Sequence, residues 1–279
     1  MRYDISREGI KVYSKQEFNP QHILECGQVF CFEKMGENYI VYPQNKIAEI
    51  VEFKEYYLIK TNDSPFFCRY FDLNEDYCKI KRELSTFDIM KKPLNFGYGI
   101  RILNQNLLET LISFIVSANN NIKRIKLILN NIRNELGAKL SNGIFSFPSY
   151  DILVKQDEDF FKRMGAGYRA GYLAKVIKQI SPSQLDDWKI LPTNDLRNKL
   201  ISLAGVGPKV ADCILLFGYH RLDVFPVDTW IAKMYNKYFS PLENREKIRD
   251  NLINTFDKLA GYAQQYLFYY QRSGDREKD

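Results

Sequence analysis

Two side chains in this 279-residue chain could do chemistry together: Lys209 and Asp228, nineteen residues apart. Lys209 follows the run Gly205-Val206-Gly207-Pro208 and falls in the first turn of an expected helix. The partial positive charge of a helix start disfavours an ammonium, which suits a nucleophilic amine better than a structural ion pair. On local sequence alone, an exposed lysine that contacts phosphate is an equal alternative. Asp228, in Phe225-Pro226-Val227-Asp228-Thr229-Trp230, also lies near a helix start, where a carboxylate is favoured. Taken by itself it reads as an N-cap. Taken with Lys209, it completes an amine nucleophile and a fixed carboxylate. That pair suits attack on a sugar C1′, with the carboxylate stabilising the cationic sugar as the base departs.

These residues need a rigid frame, and the sequence predicts one. Residues 196–218 read as two amphipathic helices joined at Ala204–Gly207, with Pro208 opening the second. Glycines at 205 and 207 permit a tight hairpin and let a phosphate approach the N–H groups of a helix start. An ordinary αα-hairpin is the plainer reading. Before this hairpin the chain changes character. Short β-branched and aromatic runs at Val29–Phe32, Tyr39–Tyr42, Ile47–Phe53 and Tyr56–Lys60 predict an antiparallel meander. Residues 64–92 read as helical or mixed, and Pro93–Gly99 as the junction. From Leu103 onward the apolar period is helical, with further helices expected at 150–163, 169–181, 194–203, 208–218, 227–239, 243–256 and 259–271. The expected class is α+β: an N-terminal antiparallel sheet domain over 1–98, then an all-helical domain over 99–279.

Composition narrows the function. The chain is 45% hydrophobic and 27% charged, which is ordinary globular protein and excludes a disordered or collagen-like chain. No 18-residue apolar run predicts a membrane span, and the first residues lack the apolar core of a secretory signal. A cytoplasmic location is expected, nucleoid-associated if the source is prokaryotic. The five cysteines include no Cys-x-x-Cys, and two distant histidines make a histidine-rich metal site or a Ser-His-Asp triad a poor match. The net charge of +6 is uneven: residues 1–98 carry −1 and the remainder +7. A polyanion partner for the second part is the expectation, beside the plainer reading of a basic surface.

With these residues in place, the chain resembles the helix-hairpin-helix–Gly-Pro-Asp superfamily of DNA glycosylases, and within it the 8-oxoguanine branch. The resemblance rests on Lys209 in GVGPKVAD and Asp228 in PVDTW, with Cys26–Phe30, Ser117–Ile122, Gly165–Ala170 and Ala260–Gln264 in support. It implies a bifunctional enzyme. Lys209 attacks C1′, the base leaves, a Schiff base forms and β-elimination nicks the strand. No metal or organic cofactor is needed. The damaged base is flipped out first, because its target bond is unreachable inside the stack.

The resemblance also implies residue roles. Gly27 matches the glycine whose carbonyl accepts from N7–H of 8-oxoguanine, a donor where guanine has only an acceptor. Gln264 would meet the Watson–Crick edge, and Cys213 and Phe268 would sandwich the ring. Tyr168 matches the wedge that fills the gap in the duplex. Asn119, Arg124 and Arg169 match the residues that hold the cytosine left behind. Gly205, Val206, Gly207 and Trp230 fall at backbone-contact positions. Trp230 stands where eukaryotic members commonly carry a histidine, so it brings an indole N–H but no charge. Ala166 replaces a larger apolar residue in the wedge turn. No four-cysteine cluster follows Asp228, which separates the chain from the iron–sulfur branches. The implied partner is duplex DNA containing 8-oxoguanine, met by a monomer and with no membrane involved. The alternatives are a glycosylase for another damaged base, or a non-catalytic hairpin module, which would need neither Asp228 nor a base pocket.

Overall fold

A computed structural model describes residues 1–141 and 143–274. Six antiparallel strands occupy the first 60 residues: β1 (Tyr3–Ser6), β2 (Gly9–Val12), β3 (Phe32–Met35), β4 (Asn38–Val41), β5 (Ala48–Glu52) and β6 (Tyr57–Lys60). Helices dominate the rest, so the α+β class stands. Beyond the expected meander lie β1 and β2, paired with Tyr3 opposite Val12, and β2 pairs onward with β6. Both faces of β1 are largely open to solvent, so no buried alternation marks it in the sequence. In the other ladder β4 pairs with β3 and β5, and a two-residue turn at Gly36-Glu37 sets Met35 opposite Asn38.

Several expectations need correction. The strand placed at Val29–Phe32 begins only at Phe32. Val29, Phe30 and Cys31 are buried without ladder pairing, and Phe30 packs edge-on against Phe114 with ring centroids 6.0 Å apart. Burial accounts for that apolar run. The expected junction at Pro93–Gly99 holds most of a helix, Lys91–Phe96. Pro93 sits in its first turn, where the missing N–H forfeits no intrahelical bond. The region after residue 99 is not all helical, because β7 (Lys139–Ser141) and β8 (Ile144–Phe145) pair antiparallel. Strands this short carry no readable period. The helix expected at 150–163 is two, Tyr150–Leu153 and Glu158–Arg163, because Asp157 caps the second by accepting from the Phe160 amide at 2.8 Å.

Two compact units interleave in sequence. One comprises Met1–Val29, Val51–Asn104 and the chain from His220 on; the other comprises Phe30–Ile50 and Gln105–Tyr219. This partition is not the cut at residues 98 and 99, since each unit takes both strands and helices. In the first unit Gln28 is fully buried, at 0% exposure. Its Nε2 donates to the carbonyls of Ile23 (2.9 Å) and Arg101 (2.7 Å), and its Oε1 accepts from the Leu103 amide (2.9 Å). One amide thus ties the chain before Gly27 to a segment more than 70 residues away. In the second unit the Leu107–Ser117 helix is buried nearly throughout. Its Glu109 pairs at 2.5 Å with buried Arg133 and also accepts from the Gln44 amide at 2.9 Å.

Gln28→Ala should strip partners from three buried backbone groups. The expected loss is about 3 kcal/mol of unfolding free energy in urea, with the slope of the transition unchanged. A loss under about 1 kcal/mol would contradict the role given to this amide.

Candidate functional site

The predicted residues fall into two groups, one in each unit. In the first unit, Gly27 has φ +91°, a conformation that favours glycine. A Cβ there would lie 2.6 Å from Arg272 Nη1 and 3.1 Å from Phe268 Cε1, so both side chains would have to shift, in addition to the strain of the positive φ. The C-terminal helix Ala260–Gly274 supplies what faces this turn. Gln264, Phe268 and Arg272 recur every four residues and share one side of it. Gln265 Nε2 donates to the Cys26 carbonyl at 3.1 Å, and Arg272 Nη2 donates to the Glu25 carbonyl. Burial pushes the Cys26 thiol up to about 11, against the opposing pull of the Arg272 guanidinium, so Cys26 is a neutral thiol. Gln264 is 4% exposed. Its Nε2 reaches the Pro226 carbonyl at 3.4 Å, and its Oε1 has no hydrogen-bond partner among the described residues.

Asp228 belongs to this same unit. It is the N-cap of the Thr229–Tyr238 helix, with Oδ1 accepting from the Ile231 amide at 2.9 Å. The plain N-cap reading is therefore realised, and it fixes one carboxylate oxygen on the backbone. Trp230 is half-buried in the first turn, and Lys233 Nζ stands 5.3 Å from its ring centroid. The charge that an indole lacks is thus present one turn further along.

The second unit carries the hairpin. Helices Thr193–Ile201 and Pro208–Phe217 flank the turn, with Pro208 opening the second helix and no side chain capping it at Gly207. Gly205 has φ +77°, and a Cβ there would come within 2.7 Å of Tyr172 Cβ. Gly207 differs. Its φ of −85° suits any residue, and none of the described residues lies within 4 Å of an added Cβ. Asp212 is buried and receives both arms of Arg197, at 2.8 and 3.2 Å, which braces one hairpin helix on the other. Lys209 is half-buried, its Nζ 5.6 Å from the Phe114 ring centroid. Cys213 is buried one turn further along that helix.

The remaining four residues meet at one corner of the second unit. Tyr168 is 61% exposed, and its hydroxyl donates to the Ala118 carbonyl at 3.3 Å. Arg124 is exposed and reaches the Gly165 carbonyl at 3.5 Å. Arg169 is 5% exposed, with its fork turned inward. Nε and Nη2 donate to the Ala118 carbonyl at 2.8 and 2.6 Å, and Nη2 also to that of Asn119 at 2.8 Å. Asn119 is exposed, with φ +49°. In this arrangement Arg169 holds the Asn119 loop, while Asn119, Arg124 and Tyr168 face solvent.

Sequence reasoning missed Gln28, Arg197 with Asp212, Lys233 and Arg272. Asp212 lay inside the quoted hairpin string, and Arg272 extends the four-residue spacing of Gln264 and Phe268. Arg197 lay in the same 196–218 segment, but nothing in its sequence paired it with Asp212.

Comparison with known proteins extends this geometry. The model of the 8-oxoguanine DNA glycosylase N-terminal domain family matches residues 11–111. A solved structure of Clostridium acetobutylicum 8-oxoguanine glycosylase/lyase, in complex with double-stranded DNA containing cytosine opposite 8-oxoguanine, is 38% identical. It superposes with a TM-score of 0.93 and covers 99% of both chains. The N-glycosylase/DNA lyase OGG1 of Arabidopsis thaliana is 33% identical over 65% of this chain, and the N-glycosylase/DNA lyase of Saccharomyces cerevisiae 33% over 54%. The matched regions span about half of these two relatives, 56% and 45% of their lengths.

The two hairpin glycines should respond differently to alanine. Gly205→Ala places a side chain at positive φ against Tyr172 and should cost about 2 kcal/mol. Gly207→Ala should stay within about 0.5 kcal/mol of wild type, since a poorer cap and a stiffer unfolded chain offset each other. Thermal unfolding of both variants checks this, and equal losses would refute it.

Proposed function

The chain belongs to the family of 8-oxoguanine glycosylase/lyases, and from that premise we propose that it excises 8-oxoguanine from duplex DNA and then nicks the abasic strand. It acts as a monomer. A backbone phosphate seats on the uncapped N-terminus of the Pro208–Phe217 helix, beside Gly205, Val206 and Gly207. Gly207 supports this seat, because among the described residues nothing requires glycine there, whereas a phosphate drawn against the backbone does. Trp230 and its neighbour Lys233 add a second backbone contact. Tyr168 enters the gap in the duplex, and Asn119 and Arg124 meet the orphaned cytosine, on a loop that Arg169 holds in place.

The single observation that carries this reading is Gln264. A buried acceptor without a partner is costly, and a ligand that brings donors removes the cost. The Watson–Crick edge of a guanine ring offers N1–H and N2–H donors. Phe268 supplies a stacking face and the Gly27 carbonyl accepts from N7–H, while Cys213 keeps the ring contact that the family resemblance implies. Lys209 Nζ then forms a bond to C1′ as the C1′–N9 bond breaks and its electron pair leaves with the base. The Asp228 carboxylate stabilises positive charge on the sugar during this step. Ring opening gives a Schiff base between Lys209 and C1′. Loss of a C2′ proton then expels the 3′ phosphate oxygen.

Two substitutions separate the roles. Lys209→Gln should abolish both release of 8-oxoguanine and borohydride trapping, with DNA affinity held within about threefold. Gln264→Ala should slow release of 8-oxoguanine by about 10²-fold while leaving trapping at a bare abasic site intact. Trapping that survives Lys209→Gln would place the nucleophile elsewhere. Unchanged release by Gln264→Ala would remove this side chain from base recognition.

A further inference from the structure

Arg272 is a charged side chain at 8% exposure, on the same side of the C-terminal helix as Gln264 and Phe268. Three contacts define its place. Nη2 donates to the Glu25 carbonyl, two residues before Gly27. Nη1 lies 2.6 Å from where a Gly27 Cβ would stand. The guanidinium carbon lies 5.3 Å from the Phe268 ring centroid and 6.0 Å from that of Tyr269. A single planar cation therefore touches both the Gly27 turn and the Phe268 ring. Gln265 holds the carbonyl between them in sequence, that of Cys26.

We propose that Arg272 is a positioning residue for the base pocket: it locks the Gly27 turn to the C-terminal helix and backs the Phe268 ring, so that both keep a fixed spacing for the incoming base. The inference rests on the reading of Gly27 and Phe268 as base contacts. A guanidinium suits the task because its plane stacks on a ring while its edge donates to a carbonyl. A lysine can do the second but not the first. The arrangement also gives Gly27 a purpose inside the protein. A Cβ at position 27 would push Arg272 Nη1 from its place at the turn, so the glycine serves the clamp as well as the approach of a base. Misplacing a reacting group by about 1 Å can cost about 10²-fold in rate, which sets the scale for losing the clamp.

The test uses Arg272→Ala and Arg272→Lys in the full chain, with three readouts. Single-turnover release of 8-oxoguanine should fall about 10- to 10²-fold in Arg272→Ala and be partly restored in Arg272→Lys. Borohydride trapping on a bare abasic site, which needs no base pocket, should stay within about twofold. Hydrogen exchange of the 26–28 amides should speed up in Arg272→Ala relative to wild type. Unchanged exchange at 26–28 overturns the proposal. So does a parallel loss of release and trapping in both variants, which marks a general structural role. A wild-type protein that releases no 8-oxoguanine would sink the functional reading instead, and the exchange measurement would still decide whether Arg272 holds the turn.

Discussion

The structure of the first unit depends on holding one irregular stretch of backbone still. Residues 25–28 follow the short helix Pro20–Leu24 without forming a strand, and side chains near and far in sequence hold this backbone in place. Gln28 donates to the Ile23 carbonyl and to that of Arg101, far along the chain, while Gln265 takes the Cys26 carbonyl and Arg272 that of Glu25. The contacts of Gln28 and Gln265 are buried and that of Arg272 is part-buried, and a buried polar group is costly to leave half-made. Such wiring makes the turn at Gly27 a fixed surface rather than a loop. Under the proposed function that rigidity matters, because a carbonyl that drifts cannot separate an N–H from a bare nitrogen at a single atom.

The second unit solves a related problem with two arginines. Arg197 and Asp212 join the two hairpin helices through paired hydrogen bonds, and Arg169 fixes the Asn119 loop through two carbonyls. Both arginines are spent on positioning. The exposed groups beside them, Arg124, Asn119 and Tyr168, stay available for a partner. Tyr172 joins these features, since it meets the Tyr168 ring edge-on at 6.3 Å and packs over Gly205. Tyr168 and the Gly205 turn therefore share one neighbour, Tyr172.

Much of this was legible in the sequence, for identifiable reasons. Proline and glycine marked the hairpin, because Pro208 must open a helix and Gly205 must take a positive φ. The cap at Asp228 was readable from its place before an apolar helical stripe. What escaped the sequence was long-range. β1 is exposed on both faces and finds its place only by pairing with β2, so its own residues carry little signal. Val29–Cys31 has the composition of a strand but is buried without a ladder. Arg169 matches a base-contacting position, yet its fork points inward, a choice made by the carbonyls of a loop 50 residues earlier. Arg272 and Gln28 are polar by type and buried by context, and type alone predicts them outside. The interleaved units were also hidden, since contacts rather than composition define them.

The most direct measurement is borohydride trapping of the wild-type protein on duplexes carrying 8-oxoguanine opposite each of the four bases, with unmodified guanine and a bare abasic site alongside. Schiff-base chemistry at Lys209 with recognition of the oxidised base predicts a covalent complex on the 8-oxoguanine duplexes, strongest opposite cytosine, and none on guanine. Trapping at the abasic site alone would contradict the base pocket, and an absence of trapping on every duplex would contradict the nucleophile.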